Sequence, residues 1–532
     1  MSYSFDVCNE PWIPVIQNGR NVEMGIRDAL IQAHEITEIR EPVLTAEFGI
    51  YRLLIALVMD IYKLRLVVEL EDLLETGHFD PSTVDHYLAE NASCFNLFDT
   101  TNPFLQTAGM DDDDEKPLAG LLPLVPSGTG VVHFHHASED TFGVSPAAAA
   151  RLLTAIAPFM TAGGAGLSPS INGAPPWYVL ISGESLFHTI TLNCCVIPLA
   201  KELTGKAPPA WLNHEEVRAD ARYTSTSLLE ALTWRPRRIR LIPGEGGVCS
   251  LTGNESRILV SSMKFKPGAS CDFSWRDPNV PYRLSGDKDP LPMRPIEERQ
   301  LWRDTGPLAL LKEGTYKSEN GKVQFARPTV VDQFEELGRE QVIPEDSVLR
   351  LTVYGMRTDM KMKVFEWYKE RLVVPTPLVV GTPFEDFAQK SMDKADSVGY
   401  YLRRAIKSLF PRQGAGNPSA LDNLAAATVR EFWSSLRPLY EQMLRDMAYT
   451  PEKNQETTRK VFAPIWRDHV EKIALQRFEA AAGGLDADAD AIQRYVEARS
   501  QLRRSVRTAL ETDEEKKARK SKSSQDSIVH KN

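Results

Sequence analysis

The sequence predicts an α+β fold: a large irregular N-terminal α+β domain followed by a C-terminal four-helix bundle. Three observations lead there. The 532 residues exceed the size at which a single hydrophobic core stops growing, so more than one domain is expected. Residues 1 to about 375 mix short strand-like runs with helical stretches and many Pro and Gly turns. From about Phe384 the texture changes to long segments rich in Ala, Leu, Arg and Glu.

Within the first region, the most apolar stretch, Phe48 to Leu66, is interrupted by Arg52, Asp60, Lys63 and Arg65, which leaves seven uncharged residues between Arg52 and Asp60. A membrane span needs about 20 apolar residues, so this stretch reads as a buried helix and no membrane partner is expected. Trp177 to Ile181 and Val348 to Val353 read as strands, because β-branched and aromatic side chains suit a pleated, half-buried surface. In the second region, breaks at Pro411 to Pro418, at Pro451 and at Gly483-Gly484 divide residues 384–510 into four helices. Connections of that length favour antiparallel neighbours, and a four-helix bundle is the economical packing. The run Lys516-Lys517-Ala518-Arg519-Lys520-Ser521-Lys522 has almost no apolar side chains, so 511–532 is expected to be a disordered basic tail.

Composition bounds the function. At 42% hydrophobic and 25% charged residues the chain is that of an ordinary globular protein. Six cysteines, Cys8, Cys94, Cys194, Cys195, Cys249 and Cys271, show neither secreted-framework density nor C-x-x-C spacing, and no cleavable signal precedes them. A reducing cytoplasm fits. A net charge of −10 argues against a protein that coats nucleic acid everywhere, so any contact must be local. Local basic clusters exist at Arg235, Arg237, Arg238 and Arg240, at Arg403, Arg404, Lys407 and Arg412, and at Arg494, Arg499, Arg503, Arg504 and Arg507, each of which reads equally as a solvated face.

No G-x-x-x-x-G-K-[ST] loop occurs, so nothing supplies the cradle that nucleotide triphosphate hydrolysis requires. No G-x-S-x-G elbow occurs either. His133, His135 and His136, with Asp140 nearby, are the one concentration of imidazoles. Alternation puts His133 and His135 on one face of an extended segment and His136 on the other, which suits a metal site poorly. The run Asp111 to Asp114 with Glu115 lacks the alternating ligands and bidentate glutamate of a calcium loop and reads as a solvated acidic loop. No cofactor and no catalytic residue is expected.

Several separated segments, read in order, resemble the CasA large subunit of the type I-E CRISPR surveillance complex, Cascade. They are Phe5-Asp6-Val7-Cys8-Asn9-Glu10-Pro11-Trp12-Ile13-Pro14-Val15, the apolar helix near 44–62, and Asn102-Pro103-Phe104-Leu105-Gln106-Thr107. Leu232-Thr233-Trp234-Arg235-Pro236-Arg237-Arg238-Ile239, Val330-Val331-Asp332-Gln333-Phe334 and the helical C-terminal region follow. The resemblance implies a non-catalytic subunit that recognises the protospacer-adjacent motif in double-stranded target DNA, helps open the duplex and helps recruit the CRISPR helicase-nuclease. Its partners would be the other Cascade subunits and the guide RNA. Guide pairing reads the long sequence while protein reads the short motif.

By the same resemblance, the family's glycine loop falls on Gly163, Gly164, Ala165 and Gly166, where small residues let backbone approach a minor groove; Ala165 departs from an expected glycine. The family's minor-groove lysine falls on Lys266 or on Lys264, which share one strand face and are not separable by pattern. Its glutamine wedge, on a hairpin, falls on Gln333 with Asp332 ahead of it, the acid being a departure from the pattern. Phe134 matches an aromatic in a mobile loop that engages target or guide, and only Cys249 remains where some members carry a zinc cluster, so no zinc is expected.

Arg499, Arg503 and Arg507 recur at i, i+4 and i+8, a stripe that could follow a displaced single strand, and Arg403, Arg404 and Lys407 with Tyr400 and Tyr401 add an aromatic-plus-basic mixture. Two rival readings stay open from the residues alone: a metal-dependent nuclease centred on His133, His135, His136 and Asp140, and a structural scaffold without nucleic-acid contact, which the acidic balance favours.

Overall fold

A computed structural model describes residues 3–516 outside 111–112, 123–141, 163–166, 200–202, 204, 214–216, 218–221, 274, 286–287, 314–316, 319–320, 323, 359–363, 381–384, 411–417, 451–454, 485–487 and 513–514. The chain divides into two compact units, one of 1–297, 307–313 and 325–373, the other of 298–306, 314–324 and 374–532. The fold is α+β with C-terminal helices. The segment 298–306, which the sequence partition assigns to the first region, belongs to the second unit.

The first unit opens with a hairpin, β1 (Ile13–Gln17) and β2 (Arg20–Met24), extended by β3 (Ile36–Ile39) along the other edge of β1. Its turn is Asn18-Gly19 with φ of 50° and 72°, the pair that two-residue hairpins favour because both positions need the left-handed region. Helix α1 (Leu44–Tyr62) follows and is buried along almost its whole length, Arg52 and Asp60 included. Gly49 lets it approach α2 (Pro146–Thr154): a Cβ there would stand 2.5 Å from the Thr154 carbonyl oxygen. Between them in sequence lies β4 (Glu115–Pro117), three exposed residues.

Strand β5 (Tyr178–Ile181) leads into α3 (Leu186–Asn193). A long antiparallel hairpin of β6 (Arg237–Val248) and β7 (Glu255–Pro267) comes next, with β4 paired along the outer edge of β7. Helix α4 (Thr329–Arg339) precedes β8 (Val348–Thr358) and β9 (Val364–Pro375). The two segments read as strands from sequence pair with each other, Leu351 opposite Ile181 and Tyr354 opposite Tyr178, in a sheet ordered β9-β8-β5.

The second unit carries α5 (Glu385–Ser408), α6 (Pro418–Ala448), α7 (Gln455–Ala482) and α8 (Ala489–Leu510). Each break read from proline or glycine falls between two of these helices, and Asp488 caps the last by accepting from the Ala491 amide at 2.6 Å. Trp302, from the segment 298–306, packs its ring 5.9 Å from Trp433 and 5.5 Å from Tyr440, which in turn lies 5.5 Å from Trp466. This aromatic series explains why 298–306 joins the bundle: indoles bury large apolar area and pack in edge-to-face or tilted pairs at such spacings.

Candidate nucleic-acid interface

The β6–β7 hairpin builds the first part of the site. Its register places Arg238 opposite Lys266 and Arg240 opposite Lys264. Strand alternation buries Ile239, Leu241, Met263 and Phe265 on one face, so the four cations share the other. Two side chains on that face are held by main chain: Arg240 donates to the Asp99 carbonyl at 2.6 Å and Arg238 to the Pro267 carbonyl at 3.0 Å.

The two lysines meet acid instead. β4 continues the sheet with Glu115 directly opposite Lys264. The Lys264 ammonium donates to the Asp113 carbonyl oxygen and lies 3.9 Å from the Glu115 carboxylate, while that of Lys266 lies 3.2 Å from the Asp113 carboxylate. The acidic run is therefore not simply a solvated loop. Of its described residues, Glu115 lies in β4 and Asp113 and Glu115 pair with the lysines, while Asp114 is exposed outside the strand.

The second part is the frame around the expected glycine loop. Gly163, Gly164, Ala165 and Gly166 lie outside the described residues, but their flanks do not. Arg237, at the start of β6, is 2% exposed and points its guanidinium at main chain: it donates to the Thr161 carbonyl at 2.8 Å and to the Ser168 carbonyl. The Ser170 amide closes the same segment onto the Met160 carbonyl at 2.7 Å. Burial alone pulls the Arg237 guanidinium down to about 10, so it stays charged at neutral pH. A cation of the cluster read as a solvated face is thus the buried fork that joins the hairpin to this segment.

Further along, Asn172 donates to the Asp277 carboxylate at 2.8 Å, and Arg52 from α1 donates to the same oxygen at 2.5 Å. Tyr178 donates to the Pro158 carbonyl at 2.7 Å. Arg52 and Asp277 are both buried. None of these residues was singled out as a site from the sequence, although one signal was there: a charge inside an apolar helix demands a buried partner.

Gln333 requires a correction. It lies in α4, not on a hairpin, and is fully buried. Its amide nitrogen donates to the Cys194 carbonyl at 2.9 Å and its amide oxygen accepts from the Val196 amide at 2.8 Å. Val330, Val331, Phe334 and Leu337 recur at helical spacing and are buried, which selects a helix and turns Gln333 inward with them. Asp332 likewise lies on α4 rather than on a hairpin. It accepts from Arg327 at 2.8 Å, and burial, set against that arginine, leaves its carboxyl above the usual range.

In the second unit the basic residues do not make one stripe. α5 packs on α6, α7 and α8, and α7 packs on α6 and α8, so α5 and α7 form the inner pair with α6 and α8 on either side of it. Lys407 pairs with Asp422 of α6, and Lys407 first, then Arg403, hold that carboxyl below its usual range. Arg404 is exposed on α5, as are Arg403 and Tyr400. Between α8 and α7, Arg499 pairs with Glu479, and Arg507 lies 3.9 Å from Glu471. Burial raises the Glu479 carboxyl, but bonds from Tyr495 and Arg499, with Arg503 nearby, outweigh it and leave it low.

His133, Phe134, His135, His136 and Asp140 lie outside the described residues. Among the described residues no three His, Cys, Asp or Glu side chains converge as a metal would need, and no helix is long and apolar enough to cross a membrane.

Compared with known proteins, the chain matches the family "CRISPR-associated protein Cse1" over residues 6–477. It is 28% identical over 499 residues to the CRISPR-associated protein CasA/Cse1 of Thermus thermophilus, covering 90% of this chain and 92% of that protein. The fold resembles the crystal structure of Thermobifida fusca Cse1, at 19% identity and a TM-score of 0.73, over 95% of this chain and 98% of that one. It also resembles a chain of a CRISPR RNA-guided surveillance complex, at 19% identity and a TM-score of 0.70, over 94% and 99%.

Proposed function

Because the chain belongs to the Cse1 family of CRISPR-associated proteins, we propose that it is the non-catalytic large subunit that recognises the protospacer-adjacent motif for an RNA-guided surveillance complex. In this reading it works beside the other subunits and the guide RNA in the cytoplasm, contacts double-stranded target DNA, promotes duplex opening and helps recruit the helicase-nuclease.

The observation that supports motif recognition most directly is that one hairpin serves both parts of the site. β7 carries Lys264 and Lys266, and β6 carries Arg237, whose fork holds Thr161 and Ser168 on either side of the glycine-rich segment. The flanks of that segment and the two lysines, about a hundred residues apart in the sequence, are thereby tied to one strand pair. Such a unit suits groove recognition: cations supply sequence-independent attraction to phosphate, and a small-residue backbone can approach base edges. Gln333 is not part of this proposal, since both ends of its amide are committed inside the fold.

The test is binding of the assembled complex to duplexes with and without the motif. Gly164→Leu and Gly166→Leu, each checked for an unchanged unfolding transition, should remove the preference for the motif-bearing duplex. Retention of that preference by both folded variants would take the segment out of the site.

A further inference from the structure

We propose that β4 and the Asp113 preceding it are an internal competitor for nucleic-acid phosphate on the lysine face of the β6–β7 hairpin. The inference rests on the reading that this face meets DNA. It adds an occupant already present in the chain.

Three observations carry it. The acidic groups are where phosphates would go: the Asp113 carboxylate is 3.2 Å from the Lys266 ammonium, and that of Glu115 is 3.9 Å from Lys264. Glu115 also takes a hydrogen bond from the Ser262 hydroxyl at 2.8 Å, so three successive outward positions of β7, at 262, 264 and 266, are engaged by one acidic segment. Finally, the element that delivers them is short. β4 is a three-residue, exposed strand paired to one neighbour at the sheet edge. A strand of that length has few bonds holding it and belongs to the easily opened part of a fold.

A lysine that neutralises a DNA phosphate releases counterion from the duplex. If that lysine first leaves a carboxylate, the freed carboxylate gathers a counterion of its own, and net release is small. In the parent protein the two lysines therefore add little to the salt dependence of binding. Remove the carboxylates and each contributes in full, about 0.9 of a unit per phosphate contact.

The experiment compares the full-length parent with Asp113→Asn/Glu115→Gln on a duplex lacking any motif, titrated over a range of KCl concentrations. The variant should show a slope of log affinity against log salt that is steeper by roughly one to two units, with tighter binding at low salt. Glu115→Gln alone, a milder change at an exposed residue, should give about half that increase. Adding Lys264→Ala and Lys266→Ala to the double variant should return the slope to the parent value. Parallel lines for parent and variant would overturn the proposal, as would a steeper slope that survives loss of both lysines, since charge would then act through the general field. Equal affinity of the parent complex for duplexes with and without motif would count against motif recognition and leave the slope comparison to decide the competitor.

Discussion

Arg237 holds Thr161: the guanidinium Nη2 donates to the Thr161 carbonyl at 2.8 Å while Nη1 donates to that of Ser168, and no carboxylate among the described residues balances the charge. A planar fork can grip two carbonyls at fixed separation, which the single rotating ammonium of lysine does not do. Arg237→Lys should therefore speed amide hydrogen exchange at the ends of this segment, near 161–162 and 167–168, while β6 and β7 stay protected. In the complex it should lower affinity for a motif-bearing duplex by roughly tenfold, the equivalent of one charged hydrogen bond of about 1.5 kcal/mol. Slow exchange and full motif preference in a folded Arg237→Lys protein would show that the fork does not position the segment.

Gln333→Ala tests the corrected placement of that residue. It strands the Cys194 carbonyl and the Val196 amide in the interior, each an unsatisfied polar group costing about 1–3 kcal/mol. Chemical denaturation should show a loss of about 2–6 kcal/mol by that arithmetic. A wedge projecting into solvent would give nearly no change in stability.

The pair Arg52 and Asp277 makes a harsher prediction. Both side chains are buried, and Asp277 also takes the Asn172 amide. Asp277→Ala leaves a guanidinium without its counter-charge, a change worth about 3–5 kcal/mol in comparable interiors. Soluble yield and unfolding midpoint should both fall, and Arg52→Met/Asp277→Leu, which removes both charges, should recover part of the loss. Failure of the double variant to improve on Asp277→Ala would show that Arg52 is held chiefly by its bond to the Leu232 carbonyl.

Acid sensitivity has an identifiable contributor in Asp80, which caps the helix Pro81–Glu90. Bonds from the Ser82 and Thr83 side chains, and from the Thr83 amide, lower its carboxyl from 3.8 to about 2. The depressed value means that this stabilisation is complete above the unfolded value near 4 and is lost as pH falls from there to 2. Parent and Asp80→Ala should differ in unfolding midpoint at pH 6 and converge towards pH 2. A constant difference across that range would exclude the cap as a pH-dependent element.

The arginines of α8 divide by partner. Arg499 is committed to Glu479, whereas Arg503 influences that carboxylate from nearby. If the bundle meets a single strand, Arg503→Ala should flatten the salt slope of single-strand binding by about 0.7 of a unit per lost contact, and Arg499→Ala by less. An equal or larger effect at Arg499 would mean that its ion pair opens on binding.

Local rules acting within a few residues were legible in the sequence. α1 spans the interrupted apolar stretch because its apolar side chains must be buried, and α5 to α8 are separated at clustered proline and glycine breaks, although single prolines, Pro438 and Pro464, are tolerated inside α6 and α7. The turn chemistry of Asn18-Gly19 and the β-branched runs at 178–181 and 348–353 belong to the same class. The lysines and the glycine-rich segment were picked out by resemblance, and Gln333 was too, though the apolar spacing around it already argued for a helix.

Only the tertiary structure decided which charges face which. Asp113 and Lys266 lie about 150 residues apart in the chain, as do Arg52 and Asp277 at still greater separation, and no periodic pattern links such positions. Their pairing follows from strand register and helix packing, where a one-residue shift would turn each side chain to the opposite face. The burial of Arg237 has the same origin. A cation in an arginine cluster is solvated by default, and it becomes a fork on main-chain carbonyls only because the fold brings Thr161 and Ser168 against the first residue of β6. Pattern specifies elements because backbone propensity is local, and register specifies sites because electrostatic and hydrogen-bond partners meet only in three dimensions.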